Sequence, residues 1–347
     1  MKAVSIYIQL NNITLKFCES FSIESTWDNF TDTAEIVIPN VIFKSETSNA
    51  TVGLNTLLQR GDPVEIKAGY NKAQAQLESL FKGFISDVKT GTLITIKAQD
   101  AMYALKQKNL ASKLFKKVTL KELIDYCVEG VDIKVEYGGL VDSSVIIGDW
   151  VIENNSVINP VEVLQKLKSD YGFISYIKNG VLNIGTPYST TQKTHYLVKE
   201  LNLIGDDSLV NEVNDTLRVL KGVSMLPDNT KIIKYATKVD EKIIVGDVEI
   251  QGELRTLTYY NQTSTQLEET LKTVYQTTNF TGLKGDFTTF GEPVIRYNDY
   301  IKLKDLKNPE RNGTYKVSKV VYTMNPSNGL RQTCTVDYSI GEVQKNS

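Results

Sequence analysis

The chain has 347 residues, with 39 Lys and Arg against 41 Asp and Glu for a formal net charge of −2. So balanced a charge gives no global electrostatic case for binding nucleic acid or an anionic membrane. No stretch approaches the ~18 apolar residues of a membrane-spanning helix, and the length allows two or three domains with cores of their own.

Val4-Ser5-Ile6-Tyr7-Ile8 and Thr33-Ala34-Glu35-Ile36-Val37-Ile38 alternate as half-buried strands do, the second closing at Pro39-Asn40. The N-terminus lacks a small-residue cleavage site, so a soluble, cytoplasmically made protein is expected. Residues 43–61 read as a polar, strandless loop with at most a helical turn at Leu54, Leu57 and Leu58. A loop of that length is usually functional or an interface. Three strands follow: Asp62-Pro63-Val64-Glu65-Ile66-Lys67, with Pro63 at a strand start or edge, then Gly83-Phe84-Ile85-Ser86-Asp87-Val88, then Gly91-Thr92-Leu93-Ile94-Thr95-Ile96, closing at Asp100. Residues 1–105 are therefore expected to form a first β domain.

The pattern then changes. Lys106, Lys108, Lys113, Lys116 and Lys117 form a basic run, read as a solvated linker or a partner contact. Thr119-Leu120-Lys121-Glu122 is a capping box that opens a helix through Cys127, ended by Gly130. Asn159-Pro160-Val161-Glu162 opens a second helix with Pro at its first position. Val161, Leu164, Leu167 and Lys168 share one face, and Tyr171-Gly172 stops it. Ile174 to Ile177, Asn179-Gly180 and Val181 to Ile184 read as a hairpin with a type I′ turn. Residues 106–192 are thus expected to be a small α+β insert.

Strand patterns return at Asn214 to Leu220, Ile232 to Ala236 and Arg255 to Tyr259. A helix over 264–280 follows, with Ser264 as its cap and Leu267, Leu271, Val274 and Tyr275 on its apolar face. After Gly282 and Gly285 comes a second three-strand meander: Tyr300 to Lys304, Tyr315 to Tyr322 and Gln332 to Val336. It echoes the first. Asp62 to Lys67 matches Asp299 to Lys304, Gly83 to Val88 matches Gly313 to Val317, and Gly91 to Asp100 matches Gly329 to Asp337. Residues 193–347, with the flanking helix 264–280, are expected to form a second β domain.

No P-loop, dinucleotide fingerprint, H-E-x-x-H or G-x-S-x-G motif occurs. His195 reads as a loop residue with no Asp partner identifiable by sequence; Asp206-Asp207 reads as a turn and Glu268-Glu269 as a solvated helix face. Cys18, Cys127 and Cys334 are odd in number and far apart, which argues against a disulfide framework. With a single histidine they offer no closely spaced pair for zinc, and they read as core positions. No catalytic, cofactor-binding or metal-binding residue is assigned, no cofactor is expected, and the chain reads as a non-enzyme.

Three groups of segments carry a resemblance: G-D-P-V-E-I-K-A-G-Y (61–70), L-F-K-G-F-I-S-D-V (80–88) and I-T-I-K-A-Q-D (94–100); V-T-L-K-E-L-I-D-Y-C (118–127) and N-P-V-E-V-L-Q-K-L-K-S-D-Y-G-F-I-S-Y (159–176); G-D-F-T-T-F-G-E-P-V-I-R-Y-N-D-Y-I-K-L (285–303), N-G-T-Y-K-V-S-K-V-V-Y (312–322) and G-L-R-Q (329–332). In this order they resemble the baseplate-hub family of phage tails, which includes late control protein D and the N-terminal hub part of type VI spike proteins. Asn298 stands where that family usually has Gly, a small departure because Asn tolerates left-handed backbone. The resemblance implies a mainly β (α+β) fold with two tail-tube-like antiparallel β-barrel domains around the insert.

It further implies a homotrimer whose six similar barrels form a ring, joining the tail tube protein to a separate central spike or tip protein. A tape measure protein and other baseplate or distal tail proteins are implied as partners, with passive DNA transit through the lumen and no membrane insertion. The implied location is the virion, after synthesis in the host bacterial cytoplasm. Two other readings are a tail-associated cell-wall or glycan hydrolase, for which two carboxylates suffice, and a monomeric carbohydrate-binding β protein, for which the 18 Tyr would be the argument. Residues 43–61, 106–117 and 264–280 are the expected interface segments.

Overall fold

The computed structural model describes residues 3–26, 29–40, 42–44, 51–138, 141, 143–153, 158–178, 180–185, 193–206, 208–212, 218–226, 228–239, 242–278 and 282–339. The N-terminal alternation folds into β1 (Val4–Leu10), β2 (Ile13–Leu15), β3 (Ser20–Thr26) and β4 (Thr33–Pro39). The stretch expected to lack strands holds β5 (Ile42–Lys44) and β6 (Thr51–Gly53), an antiparallel pair, then the one-turn helix α1 (Leu54–Leu57). Residues 45–50 within it lie outside the described residues. The first meander is β7 (Pro63–Tyr70), β8 (Ser79–Lys89) and β9 (Leu93–Gln99), and Pro63 does open its strand. Period-2 patterning sets the register: Ile36 lies opposite Ile96 and Ile38 opposite Ile94, all four fully buried.

The middle region begins with α2 (Met102–Gln107), and the basic run is then no linker. It is β10 (Lys113–Thr119), followed by α3 (Leu120–Val128), β11 (Lys134–Gly138) and β12 (Ile146–Ile152), the antiparallel partner of β10. The lysines have work inside the fold. Lys108 Nζ donates to the carbonyls of Tyr126, Cys127 and Glu129 at the C-terminus of α3, where a cation complements the helix dipole. Lys113 Nζ lies 4.6 Å from the ring centroids of Phe115 and Tyr126. The Thr119–Glu122 capping box forms as expected, and so does the Asn159 cap of α4 (Pro160–Tyr171), which Gly172 ends at φ 73°. The hairpin is β13 (Ile174–Lys178) and β14 (Val181–Gly185), with Gly180 at φ 79° and Asn179 outside the described residues. β14 also pairs β11 in parallel.

The last region starts with β15 (Thr194–Val198), α5 (Lys199–Asn202), β16 (Leu203–Gly205) and β17 (Val210–Glu212). A four-stranded sheet follows: β18 (Arg218–Met225), β19 (Lys231–Val239), β20 (Lys242–Gly246) and β21 (Glu253–Tyr260). The strand expected from Asn214 is described only from Arg218. Across this sheet lies α6 (Ser264–Thr278), whose Leu267, Leu271 and Tyr275 are buried against Leu220 and Ala236. The cap is Thr263 rather than Ser264: Thr263 Oγ1 accepts from Gln266 N–H, and Gln266 Oε1 accepts from Thr263 N–H. The chain closes with β22 (Gly282–Phe290), β23 (Tyr300–Lys304), β24 (Gly313–Asn325) and β25 (Gly329–Ser339).

The two meanders do not stand apart. β24 is thirteen residues long and reaches past β23 to pair antiparallel with β3, from Lys319 opposite Thr26 to Met324 opposite Phe21. One 14-stranded open sheet therefore runs through both β regions, over one continuous core that takes in Ile8, Ile36 and Ile66 as well as Ile301, Val320 and Val336. The fold is mainly β, and none of its sheets closes into a barrel among the described residues.

Candidate assembly surface and the repeated module

The echo between the meanders is a structural repeat of four strands. The order β4–β9–β8–β7 in the first half reappears as β22–β25–β24–β23 in the second, antiparallel throughout. The register slips at the same place in each. Ile85 faces Ala98 and Asp87 faces Lys97, leaving Ser86 as a bulge; Val317 faces Val336 and Lys319 faces Thr335, leaving Ser318. Each bulged serine donates back across the ladder, Ser86 Oγ to Lys97 O (3.1 Å) and Ser318 Oγ to Thr335 O (3.3 Å).

The loops before β7 and β23 match bond for bond. Gly61 N–H donates to Ile85 O and Ile85 N–H to Asp62 O; Asn298 N–H donates to Val317 O and Val317 N–H to Asp299 O. Gly61 and Asn298 both have left-handed backbone, at φ 90° and 69°, so the expected Asn-for-Gly tolerance holds. The carboxylates close the loops: Asp62 Oδ2 accepts from Gln59 N–H (2.8 Å), and Asp299 Oδ2 from Arg296 N–H (3.0 Å). One part of the sequence alignment shifts. Gly83 corresponds to Tyr315, not Gly313, since Val64 faces Gly83 as Ile301 faces Tyr315. The side chain of Asp337, matched to Asp100, lies outside the described residues.

His195 has a partner after all. It lies in β15, parallel to β23, and its Nε2 is 2.9 Å from Asp299 Oδ2, both side chains being nearly buried. Burial opposes the charge on Asp299, yet the bonds from His195 and from the Arg296 and Lys193 N–H groups hold its carboxyl below the ordinary value. The pair fastens β15 to the loop before β23. The counterpart Asp62 makes the same loop bond, and its other oxygen accepts from Asn11 Nδ2 (3.4 Å).

A cavity of about 350 Å³ lies where the first meander, the insert and the second meander meet, lined by Asp32, Asp100, Ile177, Lys178, Arg296 and Tyr322 among others. Asp100 accepts the N–H groups of Asp32 and Met102, both at 2.9 Å. Burial pushes its carboxyl up to about 7. Burial and the neighbouring charge of Asp100 push Asp32 up as well, although Thr26 N–H bonds it. Sequence reading missed this pair; the only signal was an Asp just ahead of a helix start. Raised carboxyl values are common at active sites; here both Asp100 oxygens and Asp32 Oδ1 accept backbone N–H groups and tie neighbouring segments together. Arg296 Nη2 donates to Ser79 O (2.7 Å) and Tyr297 OH to Ile177 O (2.6 Å), joining the second meander to the first and to the insert.

The three interface segments fare unequally. The apolar face of α6 is covered by its own sheet, and Glu268 and Glu269 on its outer side pair with Lys272 at 3.0 and 3.2 Å. Residues 106–117 are mostly exposed: Lys106 bonds Gln99, Lys108 the end of α3 and Lys113 two rings, while Leu114 of β10 and Val151 opposite it on β12 stay exposed. Sequence reading did not single out the exposed apolar residues of the segment 194–212, where Tyr196, Leu201, Ile204 and Val210 are 73%, 74%, 48% and 58% accessible, nor those about the four-stranded sheet, such as Val239, Ile244, Val248 and Leu254. Asp206 forms the expected turn, pairing Lys199 at 2.8 Å, and Asp207 lies outside the described residues. Cys127 and Cys334 are buried and Cys18 half-buried, all as free thiols; burial pushes Cys18 and Cys127 up to about 12.

No family model matches the sequence, and no curated protein matches it. Solved structures do. A 43 kDa tail protein of prophage MuSo2 from Shewanella oneidensis aligns over 97% of this chain and 98% of its own, at TM-score 0.62 and 14% identity. The tail protein of Neisseria meningitidis MC58 aligns over 98% and 97%, at TM-score 0.65 and 10% identity. The chain has the fold of phage tail proteins. That fold extends to an E. coli component of the type VI secretion system, aligned over 97% of this chain and 77% of its own, at TM-score 0.59 and 9% identity. At these identities the likeness is one of fold, and it spans the insert as well as both meanders.

Proposed function

We propose that this protein is a structural hub of a phage tail or a phage-like injection machine. A homotrimer would form a pseudo-sixfold ring between the tail tube and a central spike or tip protein, leaving a channel for DNA. The observation that carries this reading is the four-strand module present twice in one chain, with matching bulges and matching loop bonds. Two equivalent modules per chain are what three chains need to offer six similar faces to a sixfold tube, and closed rings are the ordinary outcome of head-to-tail contacts that close. The tail-protein fold supports the reading.

The chain divides on this reading into a first tube-like β unit (1–105), an α+β insert (106–192) and a second tube-like β unit (193–347). Tail tube, tape measure and other baseplate or distal tail proteins are its partners, DNA passes through without being read, and the location is the virion. The protein is a non-enzyme; the engagement of Asp32 and Asp100 by backbone groups supports that assignment over hydrolysis.

Tube nucleation tests the function. Added in trace amounts to the purified tail tube protein of its own particle, the hub should abolish the lag before tubes appear and cap one tube end in electron micrographs. Clearing of cell-wall material, with no effect on tube growth, would transfer the assignment to the hydrolase reading.

A further inference from the structure

Inside the chain one strand pairing links the two repeated modules among the described residues, β3 against β24 past its bulge. Since the modules are equivalent, each partner in that contact has a counterpart. β24 past Ser318 corresponds to β8 past Ser86, so Asp87, Val88 and Lys89 stand for Lys319, Val320 and Val321. On the other side, Glu24 of β3 faces Thr33 of β4, and Val210 of β17 faces Lys284 of β22. Thr33 and Lys284 are themselves equivalent: each adjoins the position, Ala34 or Gly285, that faces Ala98 or Val336. Val210, Asn211 and Glu212 therefore stand for Glu24, Ser25 and Thr26.

Both counterparts are open edges among the described residues. β7 pairs β8 only up to Phe84, and Gly61 and Asp62 take the backbone of Ile85, so no strand lies beside residues 87–89 on that side. β17 pairs β22 alone. The same segment presents the exposed side chains of Leu201, Ile204 and Val210. Unpaired strand edges template further pairing, and here the fold displays the geometry of that pairing once already, within the chain.

Resting on the ring reading above, we infer that β17 of one copy adds antiparallel to the edge of β8 at residues 87–89 of the next copy. The register follows from the internal contact. Lys319 faces Thr26, Val320 faces Ser25 and Val321 faces Glu24. Across the copies Asp87 then faces Glu212, Val88 faces Asn211 and Lys89 faces Val210. The partner is a second copy of this chain, and the contact is head to tail, which closes into a ring when successive rotations sum to a full turn.

Paired cysteines test it on the full chain. Lys89→Cys and Val210→Cys place two thiols directly opposite one another, where antiparallel Cα atoms lie about 4.5–5.5 Å apart and a disulfide can form. The double variant should give oxidised dimers and trimers on a non-reducing gel, with either single variant giving none above background. Glu24→Cys with Val321→Cys, the internal counterpart, should oxidise within the chain without change of mass. A ring seen by mass that does not cross-link through 89 and 210 overturns this contact and leaves the hub reading standing. A chain that stays monomeric, both alone and on its tube and tip partners, overturns both.

Discussion

Asp100 is the residue with the most legible pH signature. Its folded carboxyl lies near 7, above its ordinary value of 3.8, because burial disfavours the charge. The folded state thus binds a proton that the unfolded chain has released between about 4 and 7, so stability falls as pH rises through that window. Carboxyls such as Asp299 and Asp305, held below their ordinary values, have the opposite sign and lose stability in acid. The difference between variants isolates the first effect. Asp100→Asn should flatten the fall of Tm between pH 4 and 7 relative to the parent, in thermal melts at matched ionic strength. An unchanged slope would remove Asp100 as its source. At the same scale, Asn298 shows what a single residue reveals from sequence: its tolerance of left-handed backbone was readable, and the φ of 69° agrees. His195 shows the reverse. Its Asp partner is 104 positions away and reached only through a parallel strand pairing, which no local pattern encodes.

Elements whose signals are local were legible, and those that depend on distant partners were not. Both meanders, the Thr119 capping box, the Asn159–Pro160 start of α4 and the hairpin over 174–184 follow from alternation, cap chemistry and turn residues. The Lys-rich β10 read as a linker or a partner contact rather than a strand because a strand with one solvated face and lysine stems over aromatic rings has little apolar alternation. The match of Gly83 to Gly313 slipped by two residues, a shift that keeps every side chain on its own face and so escapes a period-2 pattern. The cap of α6 slipped by one, because Thr263 and Ser264 are both good cap types and only the Gln266 bonds distinguish them. Thr263→Ala should cost about 1 kcal/mol in chemical denaturation, whereas Ser264→Ala should cost much less. Equal costs would contradict the assigned cap.

At the scale of the whole molecule, the least legible feature was the union of the two β regions. Pairing of β24 with β3 joins strands nearly 300 positions apart, and it converts two expected units into one open sheet with a shared core. Nothing in either strand alone announces it, since each reads equally well as an edge. Once seen, it explains why β24 outruns β23 and why the serine bulges matter: each lies where the strand leaves one neighbour and becomes available to the next. Arg296 then holds the second meander to the first and Tyr297 holds it to the insert, which fixes the relation between the two modules.

That two equivalent modules exist to build a ring is the central claim, and solution mass with particle imaging tests it most directly. Light scattering at high protein concentration, alone and on the tip partner, should give a species of three times 38.9 kDa, about 117 kDa, and class averages should show a ring with a central hole and near-sixfold outline. A monomer under every one of these conditions, or a closed twofold dimer with no hole, would contradict it.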